Sequence, residues 1–83
     1  MADIAETVLY RSDPAVGLKI RLVKAEGVDT NDTITIGELT AVVHAEAFRM
    51  DTGASITCTY SGNVVTITET LTDIPVLVCV TGY

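Results

Sequence analysis

The sequence has no tryptophan, one phenylalanine and only two cysteines among its 83 residues. Because large aromatic side chains are scarce, each buried position removes less area from water than in an average core. Two cysteines are too few for a disulfide scaffold and match no zinc-binding spacing. Cys58 and Cys79 both lie in apolar runs, where we expect buried free thiols, with a disulfide between them as the alternative. One small domain that gains stability from its neighbours is therefore expected.

Basic residues are also few: five lysines and arginines stand against eleven aspartates and glutamates, which gives a net charge of -6. Lys19, Arg21 and Lys24 alone lie close together, and this is not the basic stripe that nucleic acids or anionic membranes require. The chain has no basic and apolar leader, and its longest uncharged apolar run, residues 74–80, is too short to cross a bilayer. We therefore expect no nucleic-acid partner, no membrane partner and no signal peptide.

His44 is the only histidine, so a Ser-His-Asp or Cys-His catalytic site would have to include it. No nucleophile elbow, glycine-rich phosphate loop or EF-hand spacing accompanies it. Asp29 and Asp32 are interpreted as turn residues, whose side chains bind nearby backbone N–H groups, rather than as calcium ligands. The sequence predicts no enzyme, no cofactor and no metal site, and a structural role for His44 inside a strand.

Apolar and polar residues alternate along much of the chain with a period of two. Leu18, Ile20 and Leu22 alternate with Lys19 and Arg21, which predicts a strand with one buried apolar side and one wet side. Turn residues punctuate the sequence at 13–14, 31–32, 51–53, 62–63 and 73–75. This pattern predicts one all-β domain over residues 1–83, an antiparallel β-sandwich or small barrel of about six to eight strands. Residues 1–6 are a candidate extended N-terminal arm.

The segment TCTYSGNVVTIT predicts a β-hairpin with a two-residue turn at Gly62 and Asn63. This turn pairs Tyr60 with Val65 and Cys58 with Ile67. One side of the hairpin is then apolar and buried, with Ile56, Cys58, Tyr60, Val65 and Ile67. The other side carries the hydroxyls of Thr57, Thr59, Thr66 and Thr68. A turn longer by one residue would mix the two sets, so the segregation favours the shorter turn.

Residues 39–50 fit a helix almost as well as a strand. Leu39, Val42 and Val43 follow helical spacing, whereas residues 42, 44, 46, 48 and 50 would share one side of a strand. The following residues 51–53 favour the strand, because they form a natural hairpin loop with Gly53 in the left-handed region.

Residues 49–68 combine a Tyr-Ser-Gly-Asn-x-Val-Thr corner with a threonine-rich return strand, and residues 73–83 are an apolar strand that ends in Gly82 and Tyr83. This half of the chain resembles small virion structural proteins of tailed phages and related archaeal viruses. The resemblance implies a capsid-decoration, cement or tail-associated subunit, found in the virion or in the host cytoplasm during assembly. The implied partners are the chain itself and a major capsid or tail protein, and no catalytic residue is implied.

The strand IPVLVCV, residues 74–80, is apolar on both sides and needs cover on both. A second sheet of the same chain can cover one side, and we expect a neighbouring subunit to cover the other. The predicted intersubunit contact comprises Val76, Val78, Val80, Tyr83, Val8 and Tyr10. The function expected is a non-enzymatic structural subunit that self-assembles. The alternative is a monomeric immunoglobulin-like module that binds a carbohydrate or protein ligand.

Overall fold

The computed structural model describes residues 2–83, with Ala15 described by its backbone alone, and its regular structure is all β-strand. The strands are β1 (Thr7–Ala15), β2 (Leu18–Val28), β3 (Thr33–Thr35), β4 (Val42–Arg49), β5 (Ser55–Ile56), β6 (Cys58–Ser61), β7 (Val64–Ile67) and β8 (Ile74–Gly82). The predicted all-β class is confirmed. Residues 2–83 include no helix long and apolar enough to cross a membrane.

The strands form two sheets, one of five strands in the order β1-β2-β8-β4-β5 and one of three in the order β3-β7-β6. All pairs of named strands are antiparallel. The strand β8 lies at the centre of the larger sheet, and Val76, Val78 and Val80 on it are fully buried. They share one core cluster with Val65 and Ile67 of the smaller sheet, so the two sheets enclose a common core.

The threonine-rich hairpin has the predicted register. Cys58 pairs with Ile67 and Tyr60 with Val65, and Gly62 has a φ of 58°, as the first turn residue of a two-residue loop requires. Two expectations for this hairpin are wrong: Ile56 belongs to β5 in the larger sheet, and Tyr60 is 41% exposed rather than buried. The Tyr60 hydroxyl donates to the carbonyl of Val43 at 2.9 Å, so this tyrosine connects β6 to β4 at the rim of the sandwich.

The ambiguous segment 39–50 is a strand over most of its length, as the following loop indicated. Gly53 has a φ of 77°, and the loop is closed by a bond from the Arg49 N–H to the Ala54 carbonyl at 2.8 Å. The predicted turn at residues 13–14 is wrong, because these residues belong to β1. The chain reverses at Val16 and Gly17 instead, where Gly17 has a φ of 76°.

The two sheets are joined along both open sides of the sandwich. On one side the chain passes from β5 in the larger sheet to β6 in the smaller one through Thr57, whose carbonyl accepts from the N–H groups of Thr68 and Glu69 at 3.1 and 3.2 Å. On the other side residues 2–4 lie beside β3, with bonds from the Ile4 N–H to the Thr33 carbonyl at 2.7 Å and from the Thr33 N–H to the Ala2 carbonyl at 2.8 Å. Residues 2–4 of the predicted N-terminal arm are thus paired with β3.

The orientation of β2 differs from the prediction. Val23 pairs with Val78 and Arg21 with Val80, so Arg21 points into the sandwich and is only 5% exposed. Leu22 and Ile20 point outward. The prediction that Leu18, Ile20 and Leu22 face the core while Arg21 faces water is therefore wrong, because Val23, Ala25 and Val28 occupy the core instead.

Two carboxylates neutralise the inward-pointing Arg21. Its Nε donates to Glu38 at 2.7 Å and its Nη1 to Asp13 at 2.9 Å. Glu38 also accepts from Arg11, with Nε at 2.8 Å from both carboxylate oxygens. The hydrogen bond from Arg11, and next that from Arg21, hold the pKa of Glu38 at about 2, although desolvation opposes this shift. The cluster ties β1, β2 and the segment before β4 together.

Replacing Glu38 by glutamine is expected to flatten the acid side of the stability curve. The folded-state pKa of Glu38 is about 2 against an ordinary value of 4.5. The carboxylate therefore stabilises the folded chain above the ordinary value, and this contribution is lost as the pH falls from there toward the folded value. In urea titrations, the midpoint of Glu38→Gln should decline less steeply over that window than that of the unmodified chain. Glu26→Gln is the control, since the Glu26 side chain is 73% exposed, and an unchanged slope in Glu38→Gln would contradict the assignment.

Candidate interaction surface

The outward side of the five-stranded sheet is apolar at its centre. Successive side chains of a strand point to opposite sides of a sheet, so the residues between the core positions of β2, β8 and β4 point outward. Leu22 pairs with Cys79, and Phe48 with Leu77, on this side. We define the outer face as the five apolar residues Ile20, Leu22, Leu77, Cys79 and Phe48. All five are partly exposed, and none belongs to the core cluster or packs against it.

The outward side of the three-stranded sheet has the opposite chemistry. Thr66 on its central strand pairs with Thr33 on one side and Thr59 on the other. The hydroxyls of Thr33 and Thr35 both donate to Asp3 at 3.1 Å. A row of threonines suits a pleated strand and remains compatible with water. The sandwich therefore has one hydroxyl-bearing surface and one aliphatic surface, and only the aliphatic one gains by being covered.

Three residues of the predicted intersubunit contact do not lie on the outer face. Val76, Val78 and Val80 are 0% exposed, enclosed by the smaller sheet of the same chain. Their side chains have no surface left for a neighbour, and this part of the predicted contact is corrected. The side of β8 that remains uncovered carries Leu77 and Cys79.

The other three residues of the predicted contact lie in different parts of the structure. Tyr10 pairs with Leu22 on the outward side of the large sheet and is 59% exposed. Tyr83 is 53% exposed, and its carbonyl accepts from Thr40 and Ala41. Val8 is half-buried and packs against the core. Only Tyr10 of the six adjoins the outer face in the β1–β2 register.

Polar side chains flank the outer face. Lys24 pairs with Leu77 on β8 and its Nζ lies 3.5 Å from Glu26. Glu46 pairs with Cys79 from the other side, and its Oε1 lies 3.0 Å from His44 Nε2. His44 lies inside β4, as predicted, and its side chain is 60% exposed.

A shallow groove of about 520 Å³ lies between β4 and residues 55–58, and Phe48, Ile56 and Cys58 are among its lining residues. Both cysteines are free thiols and half-buried. Burial, and secondly the charge of Glu46, raise the pKa of Cys58. A thiol with a raised pKa is a poor nucleophile, so the groove has room for a ligand, but its cysteine is not activated as a nucleophile. No three metal-ligating side chains cluster within residues 2–83.

The sequence carried one signal for the outer face. In the run Val76 to Thr81, one alternating set is all valine, whereas the other contains a cysteine and a threonine beside Leu77. β-Branched valines suit a sheet core, and the mixed set is the less apolar of the two. That signal identifies the outward side of β8, but nothing in the sequence shows that Leu22 pairs with Cys79.

Comparison of the chain with models of protein families, with curated proteins and with solved structures finds no match.

Substitution by threonine is expected to separate the two sides of β2. Val23→Thr places a hydroxyl in a fully buried position and should lower the free energy of unfolding by about 1–3 kcal/mol. Leu22→Thr changes a partly exposed position and should cost less than about 1 kcal/mol. Urea unfolding at low protein concentration, where association does not contribute, measures both. Equal losses would contradict the assignment of inner and outer sides.

Proposed function

We propose that this chain is a non-enzymatic structural subunit that self-assembles through its outer face, as a capsid-decoration protein or another virion protein. The observation that supports self-assembly is the outward placement of Ile20, Leu22, Leu77 and Phe48 on the centre of the larger sheet. Apolar side chains that share one side of a sheet and are partly exposed gain free energy when a partner covers them. The virion context rests on the resemblance of residues 49–68 and 73–83, and it implies a major capsid or tail protein as a further partner.

The energetics favour a partner that covers the whole outer face. Fully burying one leucine- or phenylalanine-sized side chain contributes about 1.5–3 kcal/mol. The residues of the outer face are already partly covered by their neighbours in the sheet, so each has less than this to gain. Association also costs at least about 4 kcal/mol in lost translational and rotational freedom. A contact through one or two residues would be too weak, and several must be buried together.

The arrangement of polar groups supports a role without catalysis. His44 contacts Glu46 rather than a serine or cysteine, and catalysis by a nucleophile–base pair needs the two within hydrogen-bonding reach. Cys58 instead contacts the carbonyl of Ala45, at 3.9 Å.

A monomeric binding module is the second candidate, and the groove beside β4 is the observation that favours it. The groove combines Phe48 and Ile56 with the exposed carboxylate of Glu46. An apolar wall with few polar groups is typical of ligand sites. This function would leave the outer face uncovered, whereas a structural subunit gives that face a partner.

Light scattering over a concentration series tests self-assembly. The chain is expected to form oligomers at micromolar concentration. Association should strengthen with added salt, because subunits with a net charge of -6 repel one another and salt screens that repulsion. Binding to a basic partner would instead weaken with salt.

Leu22→Thr and Leu77→Thr should each weaken association by about tenfold, which corresponds to about 1.4 kcal/mol. Thr59→Ala, on the outward side of the smaller sheet, is the matched control and should associate like the unmodified chain. A stable monomer at every concentration and salt level would contradict the structural-subunit function and favour the binding module.

A further inference from the structure

We infer that the outer face meets the same face of a second copy, around a two-fold axis that runs parallel to the strands between β2 and β8. This arrangement rests on the proposed function and specifies its contact. The two sheets stack face to face, so β2 of each copy lies over β8 of the other, and β1 of each copy lies over β4 of the other.

The size of the molecule fits a dimer contact of this kind. The Cα atoms extend over 38 × 22 × 18 Å, and the broad side of the sandwich therefore measures about 800 Å², which is the area that each partner buries in a typical stable interface. A second copy placed over β1, β2, β8 and β4 covers most of this side in one contact.

A row of outward side chains, followed from strand to strand across the sheet, is complementary to the same row followed in the opposite direction. One row reads Tyr10, Leu22, Cys79 and Glu46 through successive strand pairs. The proposed axis reverses this row, so Leu22 meets Cys79 of the second copy at the centre, and Tyr10 meets Glu46 of the second copy at both ends. The tyrosine hydroxyl can then donate to the carboxylate, and hydrogen bonds to charged groups are the stronger ones.

The neighbouring rows fit the same axis. In one row, Ile20 of each copy lies over Thr81 of the other. In the other row, Lys24 of each copy lies over Leu77 of the other, with its aliphatic stem against the leucine and its ammonium at the rim. An axis along β8 itself would place Leu22 over the charged Glu46 of the second copy. An axis across the strands through this row would place two Glu46 carboxylates together. The chemistry of the row therefore selects the axis between β2 and β8.

A cross-link between two different chains tests this arrangement directly. In a background with Cys58→Ala and Cys79→Ser, one preparation carries Tyr10→Cys and the other Glu46→Cys. In the proposed dimer these positions face each other across stacked sheets about 10 Å apart, which is beyond the roughly 7 Å between Cα atoms that a disulfide allows, so a short bismaleimide cross-linker joins the thiols. Mixing the preparations with this cross-linker should give a covalent dimer that neither preparation gives alone. Thr59→Cys mixed with Glu46→Cys is the matched control and should give none.

A second measurement uses charge in the unmodified cysteine background. Tyr10→Glu places two carboxylates together and should weaken association by at least tenfold, and adding Glu46→Lys to it should restore association. Both positions are exposed, so folding is retained. Oligomers on light scattering without the mixed cross-link, or without restoration in the double variant, would overturn this arrangement while leaving self-assembly in place. Monomers throughout would overturn both.

Discussion

The pairing of β2 with β8 is the constraint on which the rest of the structure depends. Val23 opposite Val78 brings the apolar half of β2 into the core, and all side chains of the strand follow from that choice, because a shift by one residue turns each of them to the other side. The same register turns Arg21 inward and Leu22 outward. The buried ion cluster and the aliphatic outer face are thus two consequences of one register.

The inward Arg21 shows what this register costs. A buried guanidinium loses its hydration, and its attraction to carboxylates only partly offsets the loss. The guanidinium is surrounded by Glu38, Asp13 and Arg11 near the end of the sandwich. Asp13 and Arg11 stay largely exposed there. We therefore expect the cluster to favour this strand arrangement over a slipped one. A strand that was slipped by one residue would leave these carboxylates without Arg21.

Local patterns of the sequence were sufficient to predict the hairpin of β6 and β7, because Gly62 and the alternation of threonine with valine and isoleucine fix both turn and register. The orientation of β2 could not be predicted in this way. The run from Leu18 to Ala25 changes phase at the adjacent pair Leu22 and Val23, so either half can face the core, and the long-range pairing with β8 decides. For the same reason the three valines of the predicted contact lie on the side of β8 that the core already covers.

The edges of the two sheets explain why a neighbour is expected on the outer face. Exposed strand edges are the usual route to strand addition between chains. Residues 2–4 cover the edge of β3, and Tyr60 binds the carbonyl of Val43 along the open part of β4. The edge strand β1 carries two register shifts and Pro14, which lacks an N–H group, and such irregularities oppose pairing with another strand. Pairing with another chain along β1 or β3 is therefore disfavoured, whereas the outer face gains free energy from any contact that removes its leucines and phenylalanine from water.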